Sequence, residues 1–426
     1  MCCTTCWRAA VVPAERGGSK AAARDFCDIR VLRVIGALDP EFGGPSAAAV
    51  STCIASQRCG ISNTFVFATA VTAQEAVQQT EDRLSAEGVS IRRFRTFPVA
   101  PFYARRWGVS IGLCRWVMRH AGRFDIIHIH QTWGLAQVTA LVAATVWRRP
   151  AVVTPHESLT NYDVDREKTL VKSLLKRWYL SVADRIEVSS RLEQDDSIPS
   201  RHLFKAQVSP HPLAESETST VSASTREAGD PLIVGFLGRL HPKKNVDLLI
   251  RAVARTAVTT RLRVAGDGPD EFKRDLARCA ADHGVANRVE WLGFISADDR
   301  AAFLDSIDVL VVASEYECFG IVIAEAMARS VPVIVSPRTG LAPMVAKYEC
   351  GIVVEPTESN VAEALGLLAT DAELAARLAS RGPVAVREEL SMAAYGAVAR
   401  LGYEALLSAP GRGRRCPAAQ ARAATR

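Results

Sequence analysis

Short apolar runs alternate with longer amphipathic stretches along most of the chain. The run IRVLRVIG (29–36) is followed by a polar loop and by a helical pattern from about Ser46 to Gln57, and later apolar runs include FDIIHIH and RPAVVTPH. Strand and helix signals that take turns in this way indicate a parallel sheet covered by helices on both faces. Residues 28–212 are therefore predicted to form one doubly wound α/β domain.

The alternation stops and then restarts. Residues 213–231 are rich in Ser and Thr and carry too few large apolar side chains to pack, so they are expected to be a linker. A second α/β domain is predicted over 232–390, from runs such as PLIVGFLG, DVLVVAS and VPVIVSP. Ligands of such sheets bind beyond the carboxyl ends of the strands, so two facing units would form a cleft. The helix 391–408 is expected to cross back to the first domain. Residues 1–27 and 409–426 are expected to be a weakly ordered extension and a basic disordered tail.

Composition places the chain among soluble globular enzymes. Of its 426 residues, 48% are apolar and 23% charged, and no apolar run reaches about 18 residues without a charge, as a membrane-spanning helix requires. The N-terminus is a poor secretory signal. The eleven cysteines are scattered, which favours a reducing cytoplasm. Cys3 and Cys6 form a CxxC without a second pair, so a zinc site is not expected.

The formal net charge of +6 owes much to the C-terminal tail, which holds five arginines and no acid. The rest of the chain is therefore nearly neutral. A nucleic-acid-binding protein needs a basic face on its folded part. Nucleic acid is for this reason not expected as a partner.

Two glycine-containing loops are candidates for binding phosphate. GFLGRLHPKKN (235–245) ends the first strand of the second domain, and its Arg239 and Lys244 could hold a diphosphate through a guanidinium fork and a point charge. A basic surface turn is the alternative. In FGGP, the amides of Gly43 and Gly44 precede a helix and suit an anion, although Gly-Gly-Pro is also a common turn.

The segment SEYECFGIVIAEAMA places two acids beside an apolar helix. Glu317 lies in the loop after a strand, and Glu325 lies about a turn and a half into the helix that starts near Gly320. A carboxylate in apolar surroundings is costly unless it accepts hydrogen bonds, which a ribose diol or a sugar ring can donate. The alternative is an ion pair between Glu325 and Arg329 on an exposed helix face.

These motifs together resemble those of a known family. The E-x7-E pair of Glu317 and Glu325, with GRLHPKKN, VAGDGPDEFKRDL and VEWLGFI, looks like the C-terminal half of the retaining family-four glycosyltransferases of GT-B architecture. The resemblance covers about residues 30–405 and is strongest over 232–356. It implies two facing Rossmann-like domains and a nucleotide-sugar donor.

The resemblance also implies roles for individual residues. Arg239 and Lys244 would hold the diphosphate, Glu325 the ribose hydroxyls and Glu317 the donor sugar. Phe319, Gly320 and Ile321 would supply backbone amides to the sugar and the phosphate. Phe294 would lie beside the nucleobase.

From the other domain, Gly43 and Gly44 would approach the phosphates and His156 the transferred sugar. Glu317 and His156 are accordingly the candidate catalytic residues. Such enzymes typically need no metal, and the chain lacks a convincing DxD motif, so no metal or other cofactor is expected.

Three positions depart from the family pattern. Ser330 and Glu157 stand where glycine is common, and SPHPL (209–213) replaces the usual asparagine after proline. None of these changes removes a charged ligand. The change at Glu157 bears on the pocket for the sugar or the acceptor.

One stretch of the first domain raises the question of membrane contact. Residues 103–123 are basic and aromatic and could dock on anionic lipid.

In the helix after residue 168, Leu170, Val171 and Leu174 are expected to face the core, with Lys172 and Lys176 solvated. His128 and His130, in the strand IIHIH, could line the cleft or be satisfied in the core.

The sequence thus predicts a retaining glycosyltransferase acting on a saccharide or lipid-linked saccharide, in exopolysaccharide or lipopolysaccharide synthesis. It is expected in the cytoplasm, with possible contact with the inner face of the membrane. A nucleotide-sugar hydrolase or epimerase of the same fold, or a binding partner without turnover, is the alternative. A NAD-dependent dehydrogenase is disfavoured because no G-x-G-x-x-G follows a strand.

Overall fold

A computed structural model describes residues 28–38, 44–69, 74–96, 109–167, 170–213, 230–296 and 299–409. The predicted extension (1–27), most of the predicted linker and nearly all of the predicted tail lie outside the described residues.

The first half of the chain forms a seven-stranded sheet in the order β3-β2-β1-β4-β5-β6-β7, with all neighbours parallel. Its strands are β1 (Ile29–Ala37), β2 (Ile61–Thr69), β3 (Ser90–Arg95), β4 (Ile126–His130), β5 (Ala151–Thr154), β6 (Arg185–Val188) and β7 (Ala206–Val208). The helices of this half are α1 (Gly44–Arg58), α2 (Gln74–Ala86), α3 (Ile111–His120), α4 (Leu135–Val146), α5 (Asn161–Glu167), α6 (Leu170–Val182) and α7 (Arg191–Ser197).

The second half forms a six-stranded parallel sheet in the order β10-β9-β8-β11-β12-β13. Its strands are β8 (Leu232–Leu237), β9 (Thr260–Ala265), β10 (Val289–Gly293), β11 (Val309–Val312), β12 (Val333–Val335) and β13 (Gly351–Val353). The remaining helices are α8 (Val246–Arg255), α9 (Asp270–Asp282), α10 (Asp299–Asp305), α11 (Ile321–Ala328), α12 (Ala342–Tyr348), α13 (Glu358–Thr370), α14 (Ala372–Glu389) and α15 (Met392–Ser408).

Central strands are apolar on both faces because helices cover both sides of each sheet. In β1, Leu32 and Val34 are fully buried on one face and Val31 and Ile35 on the other. The same holds for β11, where every residue is buried. Two doubly wound parallel sheets are therefore confirmed as the fold class.

The strand order reverses between β1 and β4 in the first sheet and between β8 and β11 in the second. Loops diverge at such a reversal and leave a crevice at the carboxyl ends of the strands. The segments that follow β8 and β11 carry Arg239, Lys244 and Glu317. The fold thus brings three of the predicted site residues to one crevice.

The last helix, α15, packs on the first half of the chain. Gly396 lies so close to α1 that an added Cβ would be 2.4 Å from the carbonyl oxygen of Ala55. Arg400 Nη1 donates to the carbonyl of Cys59 at 2.9 Å. Tyr403 is fully buried and its hydroxyl accepts from Arg33 of β1 at 3.1 Å.

The prediction for helix α6 was wrong. Lys172 and Lys176 are buried, because their ammonium groups reach Asp163 at 3.1 Å and Asn161 at 2.7 Å on the neighbouring helix α5. The apolar side chains of Leu170, Val171 and Leu174 are instead 74%, 65% and 54% exposed. Among the helices that the structure describes, none has the length and apolar character that crossing a bilayer requires.

Candidate active site

Glu317 and Lys244 form an ion pair at the crevice of the second sheet. Glu317 follows β11, and its backbone is fixed by hydrogen bonds with Arg338 (3.0 Å) and Gly340 (2.8 Å). Lys244 Nζ donates to Glu317 Oε2. The guanidinium of Arg239, an exposed residue of the same loop after β8, adds a further favourable charge interaction with Glu317.

A second ion pair joins the two halves of the chain. Lys243 Nζ donates to Glu157 Oε1 at 2.6 Å, and both side chains are largely buried. Glu157 has a φ of 77° and His156 a φ of 49°, which is left-handed backbone that favours glycine. The amide of Glu157 donates to Glu193 Oε1 at 2.8 Å, and this contact helps to hold the conformation.

The pKa values of Glu317, Glu157 and Lys243 follow from burial and pairing. Burial alone would raise the pKa of Glu317, but Lys244, Lys243 and Arg239 together lower it. Burial raises the pKa of Glu157 in spite of the opposing effect of Lys243. Glu157 and Glu317 in turn raise the pKa of Lys243 against the effect of its own burial.

Glu325 is buried in α11, as the apolar neighbours in the sequence suggest. It is 8% exposed, and Arg300 Nη1 of α10 donates to its Oε1 at 3.2 Å. Arg329 pairs instead with Asp305 at 2.6 Å, so the alternative i,i+4 pair of Glu325 with Arg329 is wrong. The described contacts do not test the predicted role of Glu325 in binding the ribose hydroxyls, and that role stays a prediction.

The start of α11 faces the start of α1. Gly320, with a φ of 89°, precedes α11, and an added Cβ there would lie 2.6 Å from Ile323. Gly44 begins α1, and an added Cβ would lie 3.7 Å from Ile321 Cδ1. Gly44 and Ile321, two predicted site residues from different halves of the chain, therefore lie next to each other. Gly43 lies outside the described residues.

Other contacts join the first sheet to the loop before α11. Ser190 Oγ donates to the carbonyl of Cys318 at 2.5 Å. Phe319 is buried, and its ring centroid lies 4.8 Å from that of His211. Phe294, after β10, has a 59% exposed side chain. Its predicted place beside a base stays a prediction.

His156 belongs to a row of four buried histidines. Ring centroids are 4.5 Å apart between His128 and His130, 5.5 Å between His130 and His156, and 5.1 Å between His156 and His211. The row continues to Phe319 and so links the interior of the first sheet with the loop before α11. His128 and His130 are accordingly core residues with hydrogen-bond partners. His211 stands where the resembled family usually has asparagine, and it touches the candidate site.

A cavity of about 510 Å³ opens beside the Glu157–Lys243 pair. Its lining includes Tyr162, whose ring stacks on Tyr316 at 4.8 Å and whose hydroxyl donates to Glu315 at 3.1 Å. The lining residues are Asn161, Tyr162, Asp196, Pro242, Lys243, Glu315 and Arg338. Hydroxyl, amide and charged groups of both signs suit a polar molecule with many hydroxyls.

Glu157, Glu317 and Cys318 bring three ligand-type atoms within 4.8 Å of one another. Each carboxylate already accepts a hydrogen bond from a lysine, and burial raises the pKa of the Cys318 thiol well above its usual value. A divalent cation would have to displace two lysines and deprotonate a buried thiol. The lysines therefore neutralise the two carboxylates, and these three groups suit that role better than they suit binding a metal ion.

Several site residues were missed from the sequence. Arg300 and Lys243 gave no signal, because their partners Glu325 and Glu157 are distant along the chain. Arg33 had one: a charged residue inside the apolar run IRVLRVIG is costly unless it is bonded on all sides.

Two family models match the chain. The one described as "Glycosyl transferase 4-like domain" matches residues 43–213, and the one described as "Glycosyl transferases group 1" matches residues 218–384. Together they cover the loops that carry His156, Lys244 and Glu317.

Similar proteins are found by sequence and by structure. D-inositol 3-phosphate glycosyltransferase of Mycobacteroides abscessus is 26% identical over 344 residues, which are 76% of this chain and 77% of that protein. HepE of Anabaena, in complex with UDP and glucose, matches with a TM-score of 0.69 and 18% identity over 88% of this chain and 100% of HepE. Sucrose-phosphate synthase from Thermosynechococcus elongatus matches with a TM-score of 0.70 and 20% identity, over 89% of this chain and 99% of that one. The structural likenesses show a shared fold.

Proposed function

Because the chain belongs to the family-four glycosyltransferases and has the GT-B fold, we propose that it transfers a sugar from a nucleoside-diphosphate sugar to an acceptor hydroxyl with retention of configuration. The observation that supports this best is the convergence of Arg239, Lys244 and Glu317 at the strand-order reversal of the second sheet. Cations suited to a diphosphate and an acid suited to sugar hydroxyls lie side by side there.

In the proposed reaction, the bond between the anomeric carbon and the diphosphate oxygen breaks first, which leaves an oxocarbenium-like sugar. Arg239 and Lys244 stabilise the charge that develops on the leaving diphosphate. The acceptor hydroxyl then bonds to the anomeric carbon from the same face, and its proton passes to the leaving phosphate. This scheme requires no protein nucleophile, and Glu317 and His156 orient the sugar.

We take a UDP-hexose as the first donor to test, because HepE is a structural neighbour in complex with UDP and glucose. The cavity beside Lys243 is the proposed place for a polyhydroxylated acceptor. A product in exopolysaccharide or lipopolysaccharide assembly is proposed from the family resemblance. No metal is proposed to take part.

The test is binding of UDP, GDP and ADP by calorimetry to the unaltered protein and to Glu325→Ala. We expect one diphosphate to bind and the variant to weaken it by about 30-fold, since a hydrogen bond to a charged group contributes about 2 kcal/mol. Glu290→Ala, on the edge strand β10, is the control and should bind normally. If no diphosphate binds, the nucleotide site and with it the proposed function are wrong.

Turnover separates the alternatives. A transferase releases nucleoside diphosphate from the nucleotide sugar when an acceptor is added. Release at the same rate without acceptor would indicate a hydrolase, an epimerised nucleotide sugar would indicate an epimerase, and binding without any product would indicate a partner protein.

We also propose peripheral contact with an anionic membrane at its cytoplasmic face. Leu170 and Leu174 are exposed one turn apart on α6, and the exposed Arg177 follows on the same side. Apolar side chains beside a cation suit an interface with anionic lipid. Co-sedimentation with phosphatidylglycerol vesicles should be reduced in Leu170→Ser/Leu174→Ser and unchanged in Leu401→Ser, whose side chain is 54% exposed on α15. Equal binding by all three proteins would exclude this surface.

A further inference from the structure

Arg33 is a fully buried arginine in the middle of β1. Its Nε donates to Asn63 Oδ1 at 2.9 Å, and its Nη2 donates to Ser56 Oγ at 3.0 Å and to the Tyr403 hydroxyl at 3.1 Å. Its Nη1 lies 3.1 Å from His130 Nε2. The guanidinium is thus held from several directions and directed at one histidine.

The contact with Arg33 decides where the proton of His130 lies. A guanidinium can only donate hydrogen bonds, so His130 Nε2 must be the acceptor and carries no proton. A neutral imidazole with a bare Nε2 carries its proton on Nδ1. His130 is therefore the Nδ1–H tautomer.

The same reasoning extends to His156. His130 Nδ1 lies 3.2 Å from His156 Nε2, so the Nδ1–H of His130 donates a hydrogen bond and His156 Nε2 accepts it. A neutral His156 then carries its own proton on Nδ1. Both rings are buried, and burial beside Arg33 and the other histidines lowers the pKa of His130, while burial and His211 lower that of His156.

We propose that Arg33 is a positioning residue that acts through His130 to fix His156 as a neutral Nδ1–H donor. The functional part of this proposal rests on the transferase function proposed above. With Nε2 engaged, Nδ1–H is the group that His156 can offer to a hydroxyl or ring oxygen of the donor sugar. His156 so fixed has no free lone pair, and it cannot act as a base on the acceptor, which agrees with proton transfer to the leaving phosphate.

The proposal explains why a cation is buried at this position. A donor-only side chain is needed to exclude the other tautomer of His130. Lysine would also meet this requirement, although it would make fewer contacts. Glutamine would not, because its carbonyl can accept a hydrogen bond from an Nε2–H of His130 as readily as its amide can donate one to a bare Nε2.

The first test uses the unaltered protein labelled with ¹⁵N-histidine. Long-range ¹H–¹⁵N correlation spectra distinguish Nδ1–H, Nε2–H and imidazolium rings, and the signals are assigned with His130→Gln and His156→Gln. We expect both histidines as Nδ1–H tautomers at neutral pH. An Nε2–H tautomer or an imidazolium at His156 would overturn the proposal, and neither result depends on turnover.

The second test links the tautomer to the reaction. Arg33→Gln should give mixed tautomers at His130 and His156 and lower kcat about tenfold, the effect of one hydrogen bond lost in the transition state. Arg33→Lys should retain the tautomers and most of kcat. Ser56→Ala, which removes a contact of Arg33 but no histidine contact, is the matched control and should behave like the unaltered protein.

The outcomes are distinguishable. A purely structural role for Arg33 would lower kcat alike in Arg33→Lys and Arg33→Gln without a tautomer change in either, and this would overturn the positioning role. If Arg33→Gln does not fold, the spectrum of the unaltered protein still tests the tautomers, and the spectrum and kcat of Arg33→Lys still test the positioning role. Nδ1–H tautomers in a protein without transfer activity would contradict the proposed function and leave the tautomer assignment intact.

Discussion

Glu157 Oε1 accepts a 2.6 Å hydrogen bond from Lys243 Nζ, and this ion pair connects the segment after β5 with the segment after β8. Lys243 is 8% exposed and directly precedes Lys244, a predicted diphosphate ligand. The carboxylate of Glu157 therefore cancels positive charge next to the proposed phosphate site.

Removing that negative charge should strengthen nucleotide binding. In Glu157→Gln the ammonium of Lys243 is no longer neutralised, and we expect the preferred nucleoside diphosphate to bind about five- to tenfold more tightly, corresponding to about 1 kcal/mol. Calorimetry measures the change. Glu315→Gln, which removes a carboxylate on the rim of the same cavity, is the matched control and should leave the affinity within about twofold. Weaker binding by Glu157→Gln would show that Glu157 itself supports the ligand.

Glu317→Gln should separate binding from turnover. We expect kcat to fall about 100-fold, because the substitution weakens the contact that residue 317 makes with the sugar in the transition state. Nucleoside diphosphate should bind at least as tightly as before, because Lys244 loses its intramolecular partner. Stopped assays for kcat and calorimetry for Kd give both values for each variant.

Glu325→Gln is the reciprocal control, with weaker nucleotide binding as its main defect. If Glu317→Gln loses nucleotide affinity while kcat at saturation is unchanged, the two acids have been assigned the wrong roles.

Ser330→Gly should stabilise the protein. Ser330 follows α11 with a φ of 60°, a left-handed conformation that costs a non-glycine residue about 1 kcal/mol. Relief of that cost outweighs the larger unfolded-state entropy of glycine, and we expect a gain of about 0.5 kcal/mol in the free energy of unfolding. Urea titration measures it.

Ser380→Gly provides the comparison for this change. Ser380 lies inside α14, where glycine is unfavourable, so the same substitution should cost about 0.5 to 1 kcal/mol there. Equal losses in both variants would mean that Ser330 is not strained.

The sheets could be predicted from sequence because local patterns encode them. Buried parallel strands are continuous apolar runs, and IRVLRVIG and DVLVVAS both form such strands. Ser330 and Glu157, at two positions where the resembled family commonly has glycine, both have a positive φ.

Contacts between distant segments could not be predicted. Arg300 of α10 reaches Glu325 of α11 across 25 residues of sequence, and no local pattern records that contact. Helix α6 shows the same limit: its periodicity marks an apolar face, but whether that face is covered depends on its neighbours. Lys172 and Lys176 are buried because α5 supplies polar partners.

His211 should make folding stability depend on acid pH. Burial next to His156 lowers the pKa of His211 to about 4, whereas in the unfolded chain it is about 6.5. Below about pH 6.5 the unfolded chain binds a proton that the native protein does not, so native stability falls as the pH decreases. The contribution of this one group is about 1.4 kcal/mol per pH unit, and it levels off near the native pKa.

Substitution of His211 isolates this contribution. In His211→Gln and His211→Asn the side chain is neutral in both states, so the free energy of unfolding should lose about 1.4 kcal/mol less per pH unit than in the unaltered protein between pH 6 and about pH 4. The buried His128, His130 and His156 remain in all three proteins, and burial, the largest cause of their low pKa values, is common to all three, so most of their contribution is common as well. Urea unfolding at pH 6, 5.5 and 5 gives the slopes. Parallel slopes for the three proteins would show that His211 binds its proton equally in the native and unfolded states.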